Sequence, residues 1–151
     1  MSAQPPGARP APSALYAVKQ VELVVRSHLE ELLKPAGITA WQYTALTVLE
    51  RRDEMTSAEL ARNSFVTPQA TADLVTVLER HGLIARRRDE THRRRLLISL
   101  TDAGRELLAR YSTEVRALEG RMLGTFTTEE RSNFADYLNR CRAALAVEPA
   151  H

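Results

Sequence analysis

The chain is 151 residues long and has one cysteine, Cys141. A single thiol excludes an intramolecular disulfide framework and a cysteine-rich zinc site. No run of eighteen apolar residues occurs, so nothing reads as a membrane span. The start of the chain has neither a basic region nor an apolar core of the secretory kind, so the chain reads as cytoplasmic. There is no GxGxxG, phosphate-binding loop, GxSxG or HExxH pattern. The four histidines, His28, His81, His92 and His151, are scattered without metal-ligand spacing. No nucleophile and base can be paired by spacing. These absences predict a protein that is not an enzyme and carries neither metal nor cofactor.

What is present is a globular composition, 44% hydrophobic and 26% charged, at a length suited to one domain with attached helices. The net charge is only +2. It is unevenly placed: seven arginines fall between Arg80 and Arg95 against Asp89 and Glu90 alone, so the rest of the chain is slightly acidic. A basic patch on an acidic body is the footprint of a protein that meets a polyanion at one place. A solvated charge run is the competing reading. No aromatic residue interleaves these arginines, which argues against stacking on single-stranded RNA.

Residues 1–12 hold four of the seven prolines and read as a disordered tail; residues 148–151 read as a frayed terminus. From Ser13, Leu15, Val18, Val21, Val25, Leu29 and Leu32 recur at helical spacing, until Pro35 and Gly37 end the helix. Thr39 caps a second helix. Thr56 and Glu59 make a capping box, with Met55 and Leu60 placed as a hydrophobic staple, and so start a short third helix. Ser64, Phe65 and Val66 turn the chain. Thr67-Pro68 restarts it with a hydroxyl at the cap and proline at the first helical position. The fourth helix places Ala70, Leu74, Val77 and Leu78 on one stripe, and Gly82 sits where a C-terminal cap glycine belongs. Leu83 to Arg88 and Arg95 to Leu100 read as two strands, with Leu96, Ile98 and Leu100 pointing inward. Thr101 caps a long fifth helix, apolar at Leu107, Leu108, Tyr111, Val115, Leu118 and Met122. Gly124 breaks it. Thr127 and Glu130 box a last helix, with Phe134, Leu138, Cys141 and Leu145 along one seam; this position predicts a buried thiol rather than a redox sensor.

Short helix, turn and helix make a helix-turn-helix, and a basic hairpin directly after it makes a wing. The expected fold class is therefore mainly α with a small β-hairpin, a winged helix-turn-helix. Its second helix is sized for the major groove and the wing offers arginines to phosphates or the minor groove. With the apolar stripe inward, the helix presents Gln69, Ala72, Asp73 and Thr76, with Thr67 and Pro68 leading. Gln69 can pair with adenine, Thr76 can bond a base edge or phosphate, and Asp73 can accept from cytosine or pair with an arginine. Arg86, Arg88, Arg93 and Arg94 are the wing residues expected at DNA.

Over Gly37 to Leu108 the sequence resembles the multiple antibiotic resistance regulator (MarR) family. The resemblance rests on Leu78-Glu79-Arg80-His81-Gly82-Leu83-Ile84, Arg86, Asp89, Arg93-Arg94 and Leu100-Thr101-Asp102-Ala103-Gly104. Arg94 matches the tip arginine that such proteins place in the minor groove; their tip aspartate falls on His92, and Asp73 departs from the basic or small residue usual at its position. The resemblance implies a winged helix-turn-helix lobe over 38–100, inside one domain over 13–147, flanked by dimerisation helices over 13–35 and 102–147. It further implies a homodimeric repressor on a pseudo-palindromic duplex, released by a small aromatic or phenolic anion. Leu15, Val18, Val25, Phe134, Leu138, Cys141 and Leu145 would form the dimer faces; intramolecular packing of those helices is the alternative. His28, Trp41, Tyr43 and Tyr111 are the candidates for the ligand crevice, with core packing as the competing role. A winged-helix interaction module without an effector is the alternative function.

Overall fold

The computed structural model describes Gly7, residues 9–64 and residues 67–146. The turn expected at Phe65 and Val66, most of the proline-rich tail and residues 148–151 lie outside the described residues. The chain divides into two compact units, one through Ser112 and one from Thr113.

In the first unit, α1 (Ala14–Leu33) begins at Ser13, whose hydroxyl accepts from the Tyr16 N–H at 3.1 Å. A 3-10 turn over Lys34–Ala36 ends at Gly37, where φ is +70°, a left-handed conformation that costs glycine nothing. α2 (Ala40–Arg51) opens on a reciprocal box: the Gln42 N–H donates to the Thr39 hydroxyl at 3.1 Å and the Thr39 N–H donates to Gln42 Oε1 at 2.9 Å. Glu30 of α1 takes a further free donor, the Ala40 N–H, at 3.0 Å. A carboxylate there also suits the positive end of α2.

Next come β1 (Met55–Thr56), α3 (Ser57–Ser64), α4 (Pro68–Arg80), β2 (Ile84–Arg88) and β3 (Leu96–Leu100). The expected cap of α3 forms, with the Glu59 N–H donating to the Thr56 hydroxyl at 3.2 Å. That hydroxyl in turn donates to Glu59 Oε1, so the acid reaches the cap's side chain instead of its backbone. Met55 and Leu60, the staple pair, are both fully buried. The wing is not a lone hairpin. β1 pairs antiparallel with β3, giving a three-stranded sheet in the order β1-β3-β2. Two residues are too few to show alternation, so the sequence pattern concealed this strand.

Two further expectations change. The buried stripe of α4 is Thr71, Val75 and Leu78, while Ala70 is exposed and Leu74 and Val77 are half-buried. The inward face is rotated because a threonine joins it; the Thr71 hydroxyl donates to the Thr67 carbonyl at 2.9 Å, so its burial leaves no orphaned donor. Leu96 does not point into the core with Ile98 and Leu100 but is 43% exposed, because the wing outruns the helices beneath it.

The core gathers Leu33, Leu46, Leu49, Met55, Leu60, Val75, Leu78 and Ile98. α4 ends in a Schellman motif: the Leu83 N–H donates to the Leu78 carbonyl, the Gly82 N–H donates to the Glu79 carbonyl, and Gly82 has φ +73°. α5 (Asp102–Met122) starts against this turn. The Thr101 hydroxyl donates to the Gly82 carbonyl at 2.7 Å and accepts from the Gly104 N–H at 3.1 Å. Leu108 and Tyr111 are its buried side chains. In the second unit, α6 (Thr128–Ala146) opens on the expected Thr127–Glu130 box, and Phe126 meets Phe134 edge to face at 5.4 Å.

Gly104 has no room for a side chain: a Cβ would collide with the Leu83 carbonyl oxygen and come within 2.9 Å of Leu100 Cδ2. Because the obstacle is backbone, Gly104→Ala is expected to lower stability by about 1–3 kcal/mol, as overpacking does, measured by urea unfolding.

Candidate nucleic-acid interface

Thr67 caps α4 by accepting from the Ala70 N–H at 3.2 Å, and Pro68 supplies the first helical residue. The helix that follows exposes Gln69, Ala72, Asp73 and Thr76 together on one face, as its periodicity requires. Two of these are already oriented. Gln69 Nε2 donates to Asp73 Oδ1 at 3.4 Å, and the Thr76 hydroxyl donates to the Ala72 carbonyl at 3.0 Å. Thr76 therefore presents its oxygen as an acceptor. Asp73 pairs with no cation among the described residues.

The wing tip is organised by Asp89. Its carboxylate accepts from the Thr91 N–H at 2.9 Å, the Asp89 N–H donates to the Arg95 carbonyl at 3.0 Å, and the Arg95 N–H donates to the His92 carbonyl at 2.8 Å. The Thr91 backbone bond, then Thr91's side chain and the nearby His92 and Arg95, hold the Asp89 carboxyl below the usual carboxylate range despite some desolvation. Arg88 donates to the Arg93 carbonyl at 3.4 Å, and Arg93, Arg94 and Arg95 are exposed and make no ion pair among the described residues.

Arg86, placed by sequence at the DNA, is engaged by Glu79 through two hydrogen bonds of 2.9 and 2.7 Å. Arg87 is engaged by Glu54 through two of 2.6 Å each. Hydrogen bonding to the facing arginine is the largest influence on each acid and holds both below the usual carboxylate range. Sequence reasoning missed Glu54, Glu79 and Arg87. Glu54 lies 33 positions from its partner, and only strand register brings the two together.

The comparisons with known proteins bear on this geometry. The MarR family model matches residues 36–95. An HTH-type transcriptional repressor of Mycobacterium tuberculosis is 34% identical over 125 residues, covering 83% of this chain and 90% of that protein. The chain belongs to the MarR family of transcriptional regulators. A MarR-family regulator from Silicibacter pomeroyi superposes with a TM-score of 0.80 at 25% identity, covering 91% of this chain and 92% of that one. The repressor CouR, solved on a 23-mer DNA duplex, superposes with a TM-score of 0.76 at 25% identity, covering 86% and 92%. CouR from Rhodococcus jostii has also been solved with p-coumaroyl-CoA, at 22% identity and a TM-score of 0.75, covering 90% and 93%.

The ligand and dimer candidates are dispersed in this MarR chain. Tyr43 and Tyr111 are core residues, 7% and 8% exposed, and burial, with a smaller effect of Glu50, raises the Tyr43 phenol so that it stays protonated. His28 is exposed on α1. Trp41 lines a cavity of about 210 Å³ between α1 (Glu22, Val25, Arg26, Leu29) and α2 (Ala40, Trp41, Thr44). Leu15, Val18, Leu138 and Leu145 are exposed, Val25 and Phe134 are half-buried, and Cys141 is exposed in the single chain rather than buried. No described helix is long and apolar enough to cross a membrane.

Because the Asp89 carboxylate holds the tip, Asp89→Ala is expected to speed amide hydrogen exchange at Thr91 and Arg95 while leaving that of α2 unchanged.

Proposed function

We propose that this MarR-family chain is a homodimeric repressor that binds a pseudo-palindromic DNA duplex and leaves it when a small aromatic anion binds. The observation that carries this is the exposed polar face of α4 standing in the same lobe as the wing arginines that make no ion pair. Gln69, with its amide oriented by Asp73, reads an adenine edge. Thr67, Pro68, Ala72 and Thr76 make the remaining groove contacts. Arg88, Arg93 and Arg94 meet phosphates or the minor groove. CouR on its duplex supports the mode, and the Mycobacterium relative supports repression. Such a protein works in the cytoplasm, where bacterial DNA lies, and as a regulator rather than an enzyme.

Dimerisation is supported by α1, whose twenty residues include one buried side chain, Leu33, while Leu15, Tyr16, Val18, Val21, Leu23 and Val24 are exposed. Of these, Leu15, Val18 and Val21 share one stripe of the helix, and an exposed apolar stripe of this kind marks an association surface. On α6, Tyr137, Leu138 and Leu145 are exposed as well. A two-fold axis would present two copies of α4 to half-sites about one helical turn apart.

The effector reading rests on the cavity at Trp41. Its walls are mostly apolar, the indole offers a stacking surface, and the Arg26 guanidinium, 3.3 Å from Glu22, supplies a cation for a carboxylate or phenolate. CouR's p-coumaroyl-CoA complex supports an aromatic ligand.

Selection of bound duplexes from random DNA tests the proposal: a palindrome is expected, and unselective binding would refute it. Arg94→Ala is expected to lower affinity for the selected duplex by about 1–3 kcal/mol in anisotropy titrations. Gln69→Ala should shift base preference and leave the salt dependence of binding unchanged. Aromatic acids are expected to raise the wild-type unfolding temperature and release DNA, and Trp41→Ala to abolish both effects.

A further inference from the structure

Successive strand residues point to opposite faces of a sheet, and Arg86 and Arg87 are successive residues of β2. Arg86 lies in register with Ile98, which pairs with Met55; both of these are buried, so Arg86 starts from the face turned toward the helices. There it meets Glu79, in the last turn of α4. Arg87 lies in register with Leu97, which pairs with Thr56, on the opposite face. There it meets Glu54, the residue before β1. The wing is thus held by charge on both faces, once to the recognition helix and once to the segment that leads into the sheet. Both contacts use two hydrogen bonds from one guanidinium, which fixes angle as well as distance.

We propose that Glu54 and Glu79 are positioning residues for DNA binding, clamping β2 through Arg87 and Arg86 so that Arg88, Arg93 and Arg94 stand at a set place relative to the exposed face of α4. This rests on the reading that α4 and the wing meet duplex DNA. Charge alone gives the opposite expectation, since a carboxylate beside a polyanion site repels it, and removing that charge should tighten binding. An unclamped hairpin must instead be ordered as DNA binds, and that entropic cost weakens the complex.

The test uses the full chain and a duplex selected by the wild type, titrated by anisotropy. Glu54→Gln and Glu79→Gln are each expected to weaken binding by roughly two- to fivefold, the scale on which exposed ion pairs act. The swap Glu54→Arg with Arg87→Glu keeps the net charge and is expected to restore most of the loss. Wing amides should exchange faster in the glutamine variants, with those of α2 and α3 unchanged and the unfolding temperature near that of the wild type. Binding as tight as the wild type or tighter, or a swap no better than Glu54→Gln, would overturn the proposal. So would weakening that tracks a general loss of stability. If Glu79→Gln does not fold, the Glu54 variant and the swap decide. Failure of the wild type to select any duplex sinks the DNA reading itself, and is distinguishable from failure of the clamp alone.

Discussion

The carbonyl group of Leu83 is the point on which the DNA-binding lobe depends. It closes the sheet by accepting from the Thr101 N–H at 3.2 Å, and the absence of a side chain at Gly104 leaves it room. One residue earlier, the Gly82 carbonyl takes the Thr101 hydroxyl, and the Leu83 N–H closes α4 on the Leu78 carbonyl. The end of the recognition helix, both wing strands and the start of α5 therefore meet within a few residues. Their relative directions follow from hydrogen bonds to neighbouring backbone groups, which tolerate little error in length or angle. At its base the hairpin is fixed this way to the helix, and farther along β2 the pairs Glu79–Arg86 and Glu54–Arg87 hold it.

Charge is divided within that frame. The basic segment is not uniformly available. Arg86 and Arg87 are occupied by carboxylates of the chain, and among the described residues the arginines toward the tip have no such partner. Ion pairs this exposed contribute little to overall stability, but they select an orientation. The recognition face is similarly restrained. Gln69 is aligned by Asp73, and Thr76 has spent its proton on a backbone carbonyl. Each side chain thereby presents fewer hydrogen-bonding states than its chemistry allows.

The apolar surface is divided as well. The lobe formed by α2, α3, α4 and the sheet buries most of its large apolar side chains, Trp41 and Leu96 excepted, whereas α1 leaves most of its apolar residues open. α1 is nonetheless tied to the lobe by the Glu30 carboxylate at the start of α2, and the two helices flank the open cleft at Trp41. One helix thus carries both exposed apolar residues and one wall of the cleft at Trp41.

Most of the architecture was legible in local pattern. Caps at Thr39, Thr56, Thr67 and Thr127, the left-handed glycine at position 82 and the helical periodicities are properties of a few adjacent residues. They survive in the folded chain because capping and turn chemistry act within one turn of helix. The polar face of α4 and the basic hairpin were legible for the same reason. What sequence could not supply was register and rotation. The inward placement of Thr71, the strand at Met55–Thr56, the exposure of Leu96 and the pairs Glu79–Arg86 and Glu54–Arg87 each depend on which distant residue lies opposite. Local chemistry decided which segments would be helices, strands and turns and where the positive charge would gather. Only tertiary packing decided which of those charges the protein neutralises for itself, because that is set by distances between residues that the chain keeps far apart.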